Sequence, residues 1–140
     1  MTASPPVVAS RPMEKSMLYA ILCYDSEEVV GAWSKDTDAA VMERLGAVQA
    51  KLAQQGRLGP VARLMPTTAA TTVRKGADPL VLDGPFAETK EQLLGFYVVD
   101  CDSLDEAIEV AADLGRASGS AGAHEVRPLM LYRPGEVATT

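Results

Sequence analysis

Residues 93–110, LLGFYVVDCDSLDEAIEV, decide how this chain folds. Leu93 to Cys101 is apolar on both faces, as in a strand with neighbours on either side. Ser103-Leu104-Asp105-Glu106 then forms a capping box, with Ser103 at the N-cap and Glu106 at N3. Beyond it Leu104, Ala107, Ile108, Ala111 and Leu114 fall on one helical face. The helix is expected to stop at Gly115, and GRASGSAG (115–122) reads as loop. A central strand followed at once by an amphipathic helix is one half of an α+β layer structure.

The chain on either side repeats that half. SMLYAILCY (Ser16 to Tyr24) reads as a first strand, also apolar on both faces. A short helical turn is expected near Glu27 to Trp33. A helix follows over about 37–55, with Val41, Leu45, Val48 and Leu52 as its stripe, capped by Asp36 or Thr37 and ended by Gly56. RLGPVARLM (Arg57 to Met65) is a second strand interrupted by Gly59 and Pro60. ATTVRKGADPLVLDG (70–84) reads as an inserted hairpin, Thr71 to Arg74 and Leu80 to Leu82. HEVRPLMLY (His124 to Tyr132) is the last strand. The order β-α-β-(hairpin)-β-α-β is the ferredoxin-like split βαβ pattern. In it the second and last strands are edges, and Pro60 and Pro128 fall on those two strands, where a missing N–H is tolerated.

Length and composition fit one domain of 140 residues, 47% apolar and 23% charged. The domain is expected over residues 16–132, with tails at 1–15 and 133–140. A net charge of -6 with scattered basic residues argues against nucleic acid as a partner. Without a long apolar run or a secretory h-region, a cytoplasmic protein with no membrane partner is expected. The two cysteines, Cys23 and Cys101, are not a disulfide framework. Nor does any Cys/His spacing suggest a metal, and nothing points to a cofactor. In the expected fold they lie roughly 25 Å apart at opposite strand ends and should not pair.

The same topology gathers Tyr24, Asp25, Asp36, Arg63, residues 83–92, His124 and Glu125 at one end. His124, the lone histidine, is a candidate acid or base. Asp83 is its candidate catalytic partner. Glu88, Lys90, Tyr24 and Arg63 are candidate ligand-binding residues. Within DGPFAETKEQ (83–92), Asp83 is expected to cap its own turn, Gly84 and Pro85 to set that turn, and Phe86 to pin the loop by filling an apolar pocket. Trp33 reads as a plug of the core or of an interface. Two helices cover only one face of a four-stranded sheet, so the open face is expected to pack on a second copy.

DGPFAETKEQLLGFYVVDCDSLDEAIEVAA, with ATTVRKGADPLVLDGP before it and HEVRPLM after it, resembles the DGPF group of the YCII-related family. The resemblance covers roughly residues 16–132. It implies a dimeric ferredoxin-like α+β barrel and little about function. Some members resemble lactone isomerases or dehydrochlorinases; others occur alongside extracytoplasmic-function sigma factors. YCII-type members with a proposed His-Asp site carry the histidine on the first helix, at approximately Leu45 here, so that mechanism does not carry over intact. Two functions follow as expectations. One is binding of a small molecule, an anion among the candidates, in a cleft at the DGPF end of a dimer, with or without catalysis. The other is a non-enzymatic regulatory module linked to transcription.

Overall fold

A computed structural model describes residues 17–137. The expected tail at 1–15 lies outside the described residues. Strands β1 (Met17–Asp25), β2 (Leu58–Arg63), β5 (Gln92–Cys101) and β6 (Ala123–Pro128) form an antiparallel sheet in the order β2-β5-β1-β6. Helices α1 (Glu27–Gly31) and α2 (Lys35–Gln54) link β1 to β2, and α3 (Leu104–Ser118) links β5 to β6. A short 3₁₀ turn (Thr67–Ala69) leads into β3 (Thr71–Arg74) and β4 (Leu80–Asp83), which pair only with each other. This is the ferredoxin-like α+β arrangement with an inserted hairpin. Both prolines sit on edge strands, and the ladder of β2 slips between Leu58 and Val61, around Pro60.

Alternation along the central strands chooses the buried face. Tyr19 and Ile21 of β1 and Tyr97, Val99 and Cys101 of β5 point to one side. There they meet Leu52 of α2 and Ala107, Val110, Ala111 and Leu114 of α3. Leu114 and Ile21 are wholly buried, and each such side chain contributes roughly 1.5–3 kcal/mol of transfer free energy. On the other face Leu18, Ala20, Leu22 and Phe96 are half-buried.

Helix boundaries differ from the expected ones for identifiable reasons. The N-cap of α2 is Ser34, whose Oγ accepts from Thr37 N–H at 3.0 Å, so the helix starts two residues early. Gly115 does not stop α3: the helix runs on to Gly119, which takes the left-handed conformation (φ 69°) that its missing Cβ allows. Gly115 instead leaves room for the His124 ring, which lies 3.9 Å from where a Cβ would be. The capping box forms with one change. Ser103 Oγ accepts from Glu106 N–H at 3.2 Å, while Glu106 Oε1 reaches back to the N–H of Asp102 at 2.7 Å. The last strand ends at Pro128, short of Tyr132.

Cys23 stands opposite Gly95 and Cys101 opposite Met17, at the two ends of one strand pair. No disulfide joins them. No helix among the described residues is long and apolar enough to cross a membrane.

Candidate functional site

The inner stripe of α2 serves both the core and a void. Leu52 is buried in the core and Val48 and Leu45 pack against it, while Leu45 and Val41, nearer the N-terminus, also line a cavity beside Cys23 and Gly95. The cavity has a volume of about 210 Å³. Its floor is Cys23 of β1 with Gly95 and Tyr97 of β5, and its other walls include Leu45, Trp33 and Val30. The ladder slips at this point: Cys23 faces Gly95 but Tyr24 faces Leu93, leaving Leu94 as an extra residue. Bulges at a sheet rim redirect side chains, and Tyr24 and Leu94 both reach the cavity wall. Gly95 is there because β2 passes so close that a Cβ would strike the Ala62 carbonyl.

The charged groups of the wall are Asp25, whose Oδ1 accepts from Ser26 N–H at 2.8 Å, and Arg63. Arg63 Nη2 pairs with Asp38 Oδ1 at 2.8 Å, and Nη1 approaches Met42 Sδ at 3.3 Å. The hydrogen bond from Arg63, joined by its charge, holds the Asp38 carboxyl below its usual range. Burial pushes the Cys23 thiol up to about 11. Burial likewise raises the Tyr97 phenol, partly offset by a hydrogen bond with Gln49. A thiol and a phenol shifted this way are neutral, so the floor is uncharged.

His124 is fixed by the backbone. Its Nδ1 lies 3.0 Å from the Ala111 carbonyl, which can only accept. Nδ1 therefore carries the proton, and in the neutral ring Nε2 is left as an acceptor. The ring lines the cavity and also a second one of about 340 Å³ between α3 and β6. No group of three or more His, Cys, Asp or Glu among the described residues is placed to hold a metal ion.

Of the residues expected to form a site, the structure brings Tyr24, Arg63 and His124 to this cavity. Asp83, Glu88 and Lys90 are exposed and line neither cavity. Two expectations for the DGPF loop need correction. Asp83 does not cap its turn: among the described residues its carboxylate has no hydrogen bond. The turn is closed instead by Gly84 N–H to the Ala70 carbonyl (2.8 Å) and by Thr72 Oγ to the Gly84 carbonyl (2.8 Å). Gly84 does use its freedom, at φ 95°. Phe86 fills no pocket; it is 73% exposed, with the Arg74 guanidinium 5.3 Å from its ring centroid. The loop is fastened at its other end, where Gln92 donates to the Thr89 carbonyl at 2.6 Å and accepts from Glu27 N–H at 2.9 Å.

Trp33, Gln49, Tyr97 and Cys23 were not among the expected site residues. Their signal was present but ambiguous, since apolar positions on a stripe or a central strand look alike whether they meet core or void.

The YCII-related domain model matches residues 17–133. The chain belongs to the YCII-related family. It is also 62% identical over 122 residues, spanning 86% of this chain and 98% of the relative, to an uncharacterised protein of Rhizobium meliloti (strain 1021). Leu45 is half-buried in the cavity wall.

Proposed function

We propose that this YCII-related protein binds a small, mainly apolar molecule with one polar group, in the cavity under α2. The observation that carries this reading is the lining: Trp33, Leu45 and Tyr97 converge on a void that is also lined by His124, whose Nδ1 is committed to the Ala111 carbonyl. Volume limits the occupant. A cavity of about 150 Å³ suffices for benzene, so 210 Å³ suits one substituted ring or a compact aliphatic molecule. Charge limits it too. Arg63 is already paired with Asp38, and Lys90 is elsewhere, so an anionic ligand loses the support that the sequence suggested. A neutral donor such as a hydroxyl suits the acceptor on His124.

Trp33 is the only tryptophan and lines the cavity, so its emission reports occupancy directly. Titration with phenol, cyclohexanol and benzoate should give saturable changes for the two neutral compounds and weaker ones for benzoate. Leu45→Phe, which adds bulk in the void and no second tryptophan, should abolish them. The absence of any saturable change up to about 10 mM, roughly the affinity a fragment of seven heavy atoms can be expected to reach, overturns the reading.

A second copy as partner has its own support. The β3–β4 hairpin presents Val73, Leu80, Val81 and Leu82 to solvent, apolar on both of its faces, and it pairs with no other strand. An isolated two-stranded hairpin is marginal in water. A homodimer that covers this hairpin and the half-buried sheet face resolves both. Light scattering giving the mass of one chain at micromolar concentration refutes it.

A further inference from the structure

The roof of the cavity is thinly held. α1 has five residues, none buried, yet it and the turn behind it supply Val30 and Trp33 to the wall. Its Ser26 cap and the bonds of the following turn are local. Among the described residues, every hydrogen bond from α1 to a distant segment runs through Glu27. The Glu27 N–H donates to Gln92 Oε1 at 2.9 Å. The Glu27 carboxylate accepts from Thr67 N–H and from Thr67 Oγ, each at 2.6 Å, one bond to each oxygen.

Those two partners have a common meaning in the chain. Thr67 opens the 3₁₀ turn that leads into the hairpin, and Gln92 is the first residue of β5 after it. They are the two feet of the inserted segment 67–92. One residue, Glu27, grips both feet and begins the roof of the cavity. A carboxylate accepting two short hydrogen bonds is a strong, directional tie. The body of the insert offers little else: β3 and β4 pair only with each other and their apolar side chains face solvent.

We propose that Glu27 is a positioning residue that couples the inserted hairpin to the roof of the cavity, so that the state of the hairpin sets how tightly the cavity holds its occupant. The functional half of this statement rests on the cavity being a binding site; the mechanical half does not. When the feet are gripped, α1 is seated and Trp33 closes the wall. When the grip is lost, feet and roof loosen together, because no other long-range hydrogen bond among the described residues holds α1. The coupling is reciprocal: covering the hairpin steadies the roof, and filling the cavity steadies the hairpin's feet.

The test uses the full chain with Glu27→Ala, Thr67→Val and Thr67→Ser, read by hydrogen–deuterium exchange, Trp33 emission and phenol titration. Glu27→Ala removes both bonds to Thr67 and keeps the N–H that meets Gln92, so it should raise exchange in 27–33 and around 67–70 at once, leave peptides of α3 unchanged, and shift Trp33 emission to the red. It should weaken phenol binding about tenfold. Thr67→Val, which removes one of the two donors, should show a smaller change in the same peptides, and Thr67→Ser should match the parent. Asp83→Ala, within the insert but outside the clamp, should change neither segment. Should Glu27→Ala fail to fold, Thr67→Val against Thr67→Ser carries the comparison alone. The coupling is refuted if exchange rises in only one of the two segments, or if Trp33 emission stays at the parent value while the feet loosen. If phenol fails to bind the parent protein, the binding reading falls, while exchange and emission still decide the clamp.

Discussion

Cys23 gives the sharpest test of whether the cavity is an apolar binding site or holds a nucleophile. Burial places its thiol pKa at about 11 against an ordinary 9.0. At pH 8 a thiol of pKa 9.0 is about one-tenth thiolate, and one of pKa 11 about one-thousandth. The thiolate is the reacting species, so alkylation of Cys23 by iodoacetamide should run about a hundredfold slower in the native protein than in guanidinium-unfolded chain. Cys101 is wholly buried and should be slower still. Peptide mass spectrometry after timed quenching separates the two sites. The rate at Cys23 should rise close to tenfold per pH unit up to about pH 10, without levelling near 9. Phenol in the cavity should slow it further. The same shift has a stability consequence with a definite sign. The folded pKa is the higher one, so the stabilisation of the neutral thiol is fully present below pH 9 and is lost as pH climbs from 9 through 11. Cys23 is only partly buried, which reduces that loss below the value implied by the whole shift. Labelling of native Cys23 at the free-thiol rate would sink the argument and make Cys23 a candidate nucleophile.

Leu114→Ala removes a side chain with no exposure from the centre of the core; denaturant unfolding should show a loss of about 2–5 kcal/mol. Asp83→Ala should change stability by less than about 0.5 kcal/mol, because the carboxylate is exposed and makes no hydrogen bond among the described residues; a loss above 1 kcal/mol would restore the capping role. Gly95→Ala must push β2 outward where the new Cβ meets the Ala62 carbonyl. It should cost at least about 1–3 kcal/mol, measured by thermal or denaturant melting, and an unchanged midpoint would contradict the close approach.

The fold was legible because its cues are local and agree with one another. The Ser103 box, the two prolines and the doubly apolar strands each follow from the chemistry of a few residues, and all point to one strand order. The misplaced boundaries have a common cause. Gly115 and the Asp36/Thr37 start were read from residue type alone. The helix instead continues where packing allows it, past a glycine that receives the His124 ring, and begins where Ser34 can reach Thr37. The candidate site was only partly legible. Topology brought Tyr24, Arg63 and His124 to one end correctly, because strand order fixes which ends meet. It showed the inserted hairpin but not that Asp83, Glu88 and Lys90 at and beyond its end stay exposed and line neither cavity, since that depends on how the insert sits against the sheet.

The motif itself shows how the two halves of the problem meet. Its first residues draw the eye as a turn with an acid, and its last as charges fit for a ligand. In the fold the turn residues shape the hairpin's end, Glu88 and Lys90 face solvent, and the residue tied most closely to the cavity is Gln92, an uncharged side chain at the motif's edge. An amide can accept from Glu27 with one end and donate to Thr89 with the other. No other side chain in 83–92 has both a donor and an acceptor at the end of so long a reach. A carboxylate at 92 would lose the donor, and a lysine would lose the acceptor. The motif is therefore better read from its fastening than from its charges: it ends the insert, and its final amide helps seat the helix that roofs the cavity.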